Sequence, residues 1–323
     1  MVETIETEAP ALIGKSGDSM REAFGHALVE LAGEREDLVV LDADIAGGTG
    51  VHNFRDAVPE RFFQFGIAEQ NMMAVAGGMA SMGLMPVVTT FAVFCLRAVE
   101  QARLSIAYSR RKVLIAASHP GLDVGPDGGS AQCFEDLAAY RAIPGMTVLS
   151  PADPVEMRLA TRAAARHDGP VYMRTGRSPV RRLFDDSHSF EIGRGTQLTS
   201  GSDITLVACG VEVGRALDAA ELLKQDGISA RVVNMPSIEP VDHYLLATCA
   251  QETPAFVTAE DHSVRGGLGS AVAESLAANL PRPVEFVGMS DSFGTSGEPD
   301  ELAEHFAIDA RGIAAAAKRA LSR

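Results

Sequence analysis

The chain has 323 residues, of which 46% are hydrophobic and 22% are charged, and its formal net charge is −15. This length suits about two domains of ~150 residues, each able to bury a core without disulfides or structural metal. So negative a charge argues against a nucleic-acid-binding protein, which needs a basic face to neutralise phosphates. The apolar stretches are too short to cross a bilayer, which takes ~20 helical residues, so we expect no membrane association.

The N-terminus and the cysteines indicate the compartment. Residues 1–17 are polar and acidic, and they lack the basic start and apolar run of a secretory signal. We expect them to form a flexible arm. The cysteines have apolar neighbours and no C-x-x-C spacing, which is typical of reduced, mostly buried thiols: Cys95, Cys133, Cys209 and Cys249. The sequence therefore predicts a cytoplasmic protein.

Apolar strands alternate with helices in the first predicted domain, residues 18–180. Short apolar runs predict strands at residues 38–41, 62–65, 87–90, 113–117, 146–149 and 171–174. Helical spacing of apolar residues predicts helices over residues 18–33, 69–81, 95–107, 134–141 and 154–166. Strands that are apolar on both faces and alternate with helices indicate a mostly parallel sheet covered on both sides.

A second predicted domain, residues 201–323, follows a polar segment without periodicity, residues 181–200, which we interpret as a linker. Its predicted strands are residues 204–209, 230–234, 255–258 and 284–288, and its predicted helices are residues 213–225, 269–278 and 311–321. The fold class is therefore α/β, with two consecutive domains that each contain a mostly parallel sheet flanked by helices.

Several common site motifs are absent or incomplete. The run Gly266-Gly267-Leu268-Gly269 precedes a predicted helix, but Val272 stands where the G-x-G-x-x-G/A dinucleotide motif needs a small residue. A tight turn between strand and helix is the better interpretation. The sequence has no G-x-x-x-x-G-K-S/T phosphate loop, no Cys/His cluster with zinc spacing and no Gly-x-Ser-x-Gly elbow.

A lone carboxyl, Glu69, stands at a predicted strand-to-helix junction within FGIAEQNM, residues 65–72. Taken alone, it is explained by an acid that complements the helix dipole. The next predicted strand is followed by Phe91, Phe94 and Arg97, which helical spacing would place on one face. Core packing explains the two phenylalanines, but it explains an arginine on the same face less well.

Residues 65–72 and 91–97 together closely resemble the pyrimidine-binding domain of the transketolase family, which includes deoxyxylulose-phosphate synthase. The resemblance extends over nearly the whole chain, because further motifs follow in the family's order and spacing. They are Asp42-Ala43-Asp44, Gly125-Pro126-Asp127-Gly128, Arg174-Thr175-Gly176-Arg177, and Glu260-Asp261-His262 followed by Gly267-Leu268-Gly269. FGIAEQNM is the most specific of them, since the β subunits of 2-oxo-acid dehydrogenases carry their glutamate in a different local setting.

The resemblance implies a thiamine diphosphate site. In the family, the glutamate at the position of Glu69 hydrogen-bonds the aminopyrimidine ring of the cofactor and favours its imino tautomer. A carboxyl suits this task because, in a dry pocket, it can hold a proton near neutral pH. Phe91 and Phe94 would stack on and beside the pyrimidine. Arg97 stands where the synthase branch also has arginine, and Asp44 would help to orient the cofactor.

One part of the family's cofactor site is missing. Family members hold the diphosphate through Mg²⁺, using a Gly-Asp-Gly motif and a later asparagine. No Gly-Asp-Gly run occurs in this chain, and the sequence before residue 18 is too short for the domain that carries it. Because the family builds its sites across an interface between pyrimidine and diphosphate domains, the resemblance implies a separate subunit that holds the Mg²⁺. The simplest assembly is an α₂β₂ heterotetramer; this chain itself should hold no metal.

The resemblance also implies sugar phosphate substrates. Arg21, His119 and Arg177 match positions that hold the sugar phosphate in transketolases, and Asp127 matches an aspartate that contacts a sugar hydroxyl. Without the resemblance, His119 before Pro120 is also explained as a loop-capping residue.

Two residues depart from the family pattern. Gly48 stands where many members have a phosphate-contacting serine, and Ala131 stands where the family usually has histidine. The sequence therefore leaves the sugar open, and a modified, branched or deoxy sugar phosphate fits these departures.

The sequence thus predicts a transferase subunit that moves a two-carbon ketol unit between sugar phosphates and works only with a partner. Arg97 keeps open a deoxyxylulose-phosphate-synthase-like enzyme, and a 2-oxo-acid dehydrogenase-like thiamine subunit is a further alternative. A non-catalytic partner subunit is the alternative from another class. The presence of Glu69, Phe91 and Phe94 argues against it.

Overall fold

The structure, a computed structural model, describes residues 18–323. The predicted flexible arm, residues 1–17, lies outside the described residues. No helix of residues 18–323 combines the length and the hydropathy needed to span a bilayer.

The described residues contain the following strands and helices. Those of the first half are β1 (Asp18–Ser19), α1 (Met20–Glu34), β2 (Leu38–Asp42), α2 (Ala46–Thr49), α3 (His52–Ala57), β3 (Phe62–Gln64), α4 (Glu69–Ser81), β4 (Met85–Phe91), α5 (Ala92–Arg97), α6 (Val99–Gln101), β5 (Leu114–Ser118), α7 (Asp136–Arg141), β6 (Thr147–Leu149), α8 (Pro154–Arg166), β7 (Val171–Thr175) and β8 (Pro179–Val180). Those of the second half are β9 (Thr196–Thr199), β10 (Ile204–Ala208), α9 (Glu212–Gln225), β11 (Ala230–Asn234), β12 (Ser237–Glu239), α10 (His243–Glu252), β13 (Phe256–Ser263), α11 (Leu268–Asn279), β14 (Val284–Met289), α12 (Pro299–His305) and α13 (Ala310–Leu321).

The larger sheet has the strand order β12-β6-β7-β5-β4-β2-β3. The strands from β6 to β3 are parallel, and every residue of β2, β5 and β7 is buried. Helices cover both faces, as the apolar runs predict. The edge strand β12 comes from the second half of the chain and pairs antiparallel with β6.

The second sheet has the order β14-β13-β10-β11-β9. Its strands are parallel except β9, which pairs antiparallel with β11. Strand β9 lies within residues 181–200, where the sequence predicts a linker. Strands β1 and β8 form a separate antiparallel pair. Two mostly parallel sheets flanked by helices confirm the predicted α/β fold class.

The segment after β4 differs from the predicted helix over residues 95–107. Helix α5 begins at Ala92, a short α6 follows, and residues Ala102–Ala107 form a π-helix. This π-helix packs against α4, where Gly77 meets the backbone of Ser105 so closely that an added Cβ would lie 2.5 Å from the carbonyl oxygen. Phe91 also differs from the prediction, because it is an extended residue that precedes α5 and is not part of the helix.

The parallel topology decides where the predicted site residues meet. Asp44 follows β2, Glu69 follows β3, Phe91 ends β4, His119 follows β5 and Arg177 follows β7. The carboxyl ends of parallel strands lie at one edge of a sheet, and ligands of open α/β sheets bind outside that edge. The fold therefore gathers residues that are far apart in sequence at the carboxyl edge of the larger sheet.

Candidate active site at the carboxyl edge of the larger sheet

Glu69 is the first residue of α4, and its side chain is only 4% exposed. Its Oε2 atom has no hydrogen-bond partner among residues 18–323. The nearest cation is Arg97, whose Nη1 lies 3.8 Å from Oε2 and whose side chain is 63% exposed. That distance is too long for a hydrogen bond. Because an unpaired buried carboxylate oxygen is costly, the site favours a bound molecule that brings a hydrogen-bond donor to Glu69.

Two phenylalanines form an aromatic wall on the next strand and helix. The rings of Phe91 and Phe94 are nearly parallel, with an interplanar angle of 7° and centroids 5.7 Å apart. Phe91 also stacks on His119, with a centroid distance of 3.8 Å. The two rings stack although Phe91 is extended and only Phe94 lies in α5. Phe91 thus stacks on both Phe94 and His119.

Gly48, one of the two departures from the family pattern, lies against the same ring. A Cβ at this position would be 2.9 Å from Phe91 Cε1, which is closer than such atoms approach in proteins. The carbonyl oxygen of Gly48 accepts a hydrogen bond from Arg21 Nη1 at 3.2 Å. The missing side chain therefore makes room for the Phe91 ring, and the backbone of Gly48 holds Arg21.

Asp44 lies in a cleft of about 440 Å³ that is also lined by Gly48 and Phe91. Its φ of 67° is in the left-handed region, and its N–H donates to Gln64 Oε1 at 2.9 Å. Gln64 in turn donates to the buried Asp42 at 2.8 Å, and burial raises the pKa of the Asp42 carboxyl. This hydrogen-bonded pair holds the turn that carries Asp44 beside Phe91.

His119 is buried and has a strained φ of 58°. Its Nδ1 lies 2.8 Å from Ser118 Oγ. Burial, together with the charges of Arg21 and Arg177, lowers the pKa of His119 from 6.5 to about 3. The imidazole is therefore neutral at physiological pH, and the positive charge of this group belongs to the two arginines.

The two arginines differ in how they are held. Arg21 Nε is buried without a hydrogen-bond partner among residues 18–323. Arg177 Nη1 donates to Val124 O at 2.5 Å, and its Nη2 lies 4.0 Å from Asp127 Oδ1. Arginine presents a planar set of donors that matches phosphate, so Arg21, His119 and Arg177 together form a group suited to an anion.

Two carboxylates whose role the sequence does not predict hold this group. Asp123 Oδ2 accepts from the backbone N–H of Arg177 at 2.6 Å and of Ser178 at 3.1 Å. Asp261, on β13, accepts from the N–H groups of Leu122 at 2.8 Å and of Asp123 at 3.1 Å. Asp261 belongs to the run Glu260-Asp261-His262, but that run does not reveal its contacts, because each carboxylate accepts from the backbone of a segment distant in sequence.

Ala131, the second departure, is half-buried in the loop that follows Asp127. Its neighbour Gln132 donates from Nε2 to Thr295 O at 2.9 Å, so this loop contacts the second half of the chain. Among residues 18–323, no group of three or more His, Cys, Asp or Glu side chains is placed to hold a metal ion.

Comparison with protein-family models gives two matches. Residues 17–182 match the transketolase pyrimidine-binding domain, and residues 193–313 match the transketolase C-terminal domain. Two curated proteins from microorganisms are similar over most of their length. A provisionally named transketolase C-terminal section from Methanocaldococcus jannaschii is 42% identical over 91% of this chain and 94% of its own. A 6-deoxy-6-sulfo-D-fructose transketolase subunit from Clostridium sp. is 40% identical over 94% of this chain and 95% of its own.

A solved structure is similar over the same range. It is a split gene transketolase, described as an inactive β4 tetramer, with a TM-score of 0.87 and 47% identity. The match covers 95% of this chain and 99% of that chain.

Proposed function

Because the chain belongs to the transketolase family, we propose that it is one subunit of a split, thiamine-diphosphate-dependent transketolase. In this proposal the enzyme moves a two-carbon ketol unit between sugar phosphates. This chain contributes the pyrimidine half of the cofactor site and the group that holds the substrate phosphate. A partner subunit contributes the diphosphate half and its Mg²⁺.

The observation that carries the proposal is the buried Glu69 oxygen that has no hydrogen-bond donor among residues 18–323. A buried carboxylate oxygen without a donor, together with the stacked Phe91 and Phe94 at the same edge of the sheet, fits an aminopyrimidine that brings its own N–H and a flat face. When bound, thiamine diphosphate supplies the carbon nucleophile and the electron sink for cleavage of a carbon–carbon bond. Glu69 would hold or share a proton at the pyrimidine ring, and the two phenyl rings would exclude water from that hydrogen bond.

The anionic end of the substrate would lie at Arg21, His119 and Arg177. Arg21 Nε has a free donor, and Arg177 has an Nη2 that is only loosely associated with Asp127. His119 is neutral and can donate a single N–H without adding charge. Asp127 is exposed next to Arg177, where it could accept from a sugar hydroxyl.

Three observations support the dependence on a partner. The sequence contains no Gly-Asp-Gly run. Large apolar side chains are exposed just before and just after α4, at Ile67 (78%) and Met82 (82%), where a partner subunit could cover them. The similar split gene transketolase is described as inactive in its β4 form.

The test is complementation. The purified chain is assayed for ketol transfer from a ketose phosphate to an aldose phosphate, alone and with the subunit from the same organism that carries the Gly-Asp-Gly motif. We expect activity and tight binding of thiamine diphosphate only in the mixture. Full turnover by the chain alone would contradict the split site, and binding of the cofactor without any ketol transfer would favour a different thiamine enzyme.

The same assay addresses the synthase-like alternative that Arg97 keeps open. Arg97 Nη1 lies 3.8 Å from Glu69 Oε2, so the arginine is next to the proposed catalytic carboxyl. If the mixture condenses pyruvate with an aldehyde phosphate and releases CO₂ faster than it transfers a ketol unit, the decarboxylating function replaces the proposed one.

A further inference from the structure

We propose that Asp261, in the second half of the chain, is a positioning residue that fixes the substrate loop and thereby sets the affinity of the site for the anionic end of its substrate. The substrate loop is the segment 119–128, which begins at His119 and contains Asp127. The functional part of this inference rests on the proposed function. The structural part, that Asp261 holds the loop, does not.

The first step is the contact between Asp261 and the loop. The carboxylate of Asp261 is buried and accepts two backbone hydrogen bonds, from Leu122 at 2.8 Å and from Asp123 at 3.1 Å. Gly121 precedes them with a φ of 65°, and a Cβ there would lie 2.2 Å from Asp261 Cγ. The loop is therefore shaped to receive this carboxylate, because only glycine allows both the conformation and the close approach.

The second step leads from the loop to the arginine. The backbone N–H of Asp123 donates to the Asp261 carboxylate, and the Asp123 side chain accepts from the backbone N–H groups of Arg177 and Ser178. Arg177 returns to the loop by donating from Nη1 to Val124 O. Asp261 thus orders the loop, and the loop orders both the backbone and the guanidinium of Arg177.

The third step is that Asp261 is itself held from the other side. Its carbonyl oxygen accepts from Arg174 Nη1 at 2.9 Å, and Arg174 donates from Nε to the buried Asp136 at 2.8 Å. Asp136 also accepts from Tyr172 Oη at 2.7 Å. Since all these groups are buried and hydrogen-bonded, Asp261 has little freedom to move, which suits a residue that positions others.

A second surface of the same half packs on the glycines of the substrate loop. An added Cβ would lie 2.4 Å from Ser296 Oγ at Gly128 and 3.3 Å from Pro299 at Gly125. The loop is therefore covered by residues 296–299 where its glycines leave no side chain of their own. The second half of the chain supports the loop from two directions, and the Asp261 carboxylate accepts the hydrogen bonds that the loop donates.

The energetic consequence falls on binding. The phosphate group is remote from the carbons that react, so its contacts are expected to stabilise ground and transition states alike. In Asp261→Asn one oxygen is replaced by an NH₂ group, which cannot accept from the loop. We expect the KM for a ketose phosphate to rise about tenfold, in line with the loss of one hydrogen bond to a charged group, and kcat to stay within about threefold.

The structural arm of the test uses the chain itself. Hydrogen–deuterium exchange of the segment 119–128 is compared in the parent, in Asp261→Asn and in Asp242→Asn. Asp242 is a matched control, since it is also buried in the second half and accepts from two backbone N–H groups, those of Leu245 and Gly195. Faster exchange of the loop in Asp261→Asn alone supports the proposal, and equal exchange in all three proteins overturns it.

The functional arm uses the complex with the partner subunit and a ketose phosphate, with inorganic phosphate as a competing anion. A raised KM and a weakened inhibition by phosphate in Asp261→Asn, with unchanged affinity for thiamine diphosphate, support the proposal. Equal losses of cofactor and substrate binding overturn it, because they indicate a general structural role. If Asp261→Asn does not fold, Asp123→Asn breaks the second step without altering the second half, and the same split between KM and kcat is expected.

The two arms separate this inference from the proposed function. If the parent complex transfers no ketol unit from any ketose phosphate, the proposed function fails. The inference is then decided by loop exchange together with the binding of inorganic phosphate measured by calorimetry on parent and variant. Loss of phosphate binding in Asp261→Asn supports it, and unchanged binding overturns it.

Discussion

At the scale of single residues, the sequence predicts which side chains lie at the site but not which hydrogen bonds they form. FGIAEQNM places Glu69 at a strand-to-helix junction, and the structure has it as the first residue of α4. The sequence does not reveal that Glu69 Oε2 lacks a hydrogen-bond donor, because this depends on the positions of all the neighbouring donors in the folded chain. The same holds for Asp123 and Asp261, whose partners are backbone groups of distant segments. The roles of the predicted site residues stay predictions.

Glu69→Gln should remove most of the activity of the complex and leave the fold intact. The amide keeps the size of the side chain but cannot share a proton with the pyrimidine, so kcat should fall by ~10²–10⁴-fold. Steady-state kinetics and thermal unfolding measure the two effects. Glu100→Gln, an exposed glutamate on α6, serves as the control. Activity of Glu69→Gln within about threefold of the parent would contradict the role of Glu69, since tenfold corresponds to only ~1.4 kcal/mol.

Arg177→Ala should raise the KM for a phosphorylated sugar much more than it lowers kcat. Hydrogen bonds to charged groups contribute roughly 1.5–3 kcal/mol, so kcat/KM should fall by ~10–150-fold. The kcat/KM for the unphosphorylated sugar should hardly change. Arg181→Ala removes an arginine that pairs with Asp218 at the surface and provides the control. If kcat/KM falls equally for both sugars in Arg177→Ala, the residue holds the loop through Val124 and does not bind phosphate.

At the scale of elements, the alternation of apolar runs and helical stripes predicts most of the larger sheet. Each of its parallel strands overlaps a predicted one. For the central strands this is because a strand buried on both faces needs an uninterrupted apolar run, whereas the edge strand β3 is largely exposed. Strand β12 escapes prediction. It has only three residues, which lie between Pro236 and Pro240, and it pairs with a strand distant in sequence. Prolines so close together are typical of a turn. Helices α10 and α12 were missed as well, and the π-helix has no sequence signature that separates it from an α-helix.

The contact between α4 and the π-helix gives a paired prediction. Gly77→Ala should destabilise the chain, since the new Cβ would lie 2.5 Å from a backbone oxygen that cannot move aside. Overpacking costs typically about 1–3 kcal/mol, offset by up to about 1 kcal/mol of helix propensity. Gly78→Ala meets nothing within 4 Å and should stabilise by up to about 1 kcal/mol. Urea unfolding of both variants measures the difference, and an unchanged or raised stability of Gly77→Ala would show that the helices can separate.

At the scale of the whole molecule, buried ionisable groups set how stability responds to pH. Burial raises the pKa of Glu212 and of Glu260 to about 7, while burial lowers that of His262 to about 4 and that of His119 to about 3. As the pH falls from 7, the two carboxyls with a raised pKa increase the stability of the folded chain, and the two imidazoles with a lowered pKa decrease it. These contributions oppose one another in the parent chain, so single variants reveal them best.

His119→Gln should make the chain less sensitive to acid. The unfolded chain protonates this histidine below pH 6.5, whereas the folded chain resists until about pH 3. The contribution of His119 to stability is therefore fully present above pH 6.5 and is lost as the pH falls. Between pH 7 and pH 5 the parent should lose about 2 kcal/mol more than the variant. Urea unfolding at both pH values measures this, with His305→Gln, an exposed histidine, as control. An equal loss in parent and His119→Gln would contradict it.

Strand β12 has a consequence for how the chain is made. Its partner β6 ends at Leu149, but β12 begins only at Ser237, about 90 residues later. At ~5–20 residues per second of translation, the edge of the larger sheet stays open on the ribosome for roughly 5–18 s after β6 has been synthesised. An unpaired strand edge is a template for association with other chains. The nascent chain thus passes through a vulnerable interval, and its first half becomes complete only after the ribosome has produced most of the second sheet.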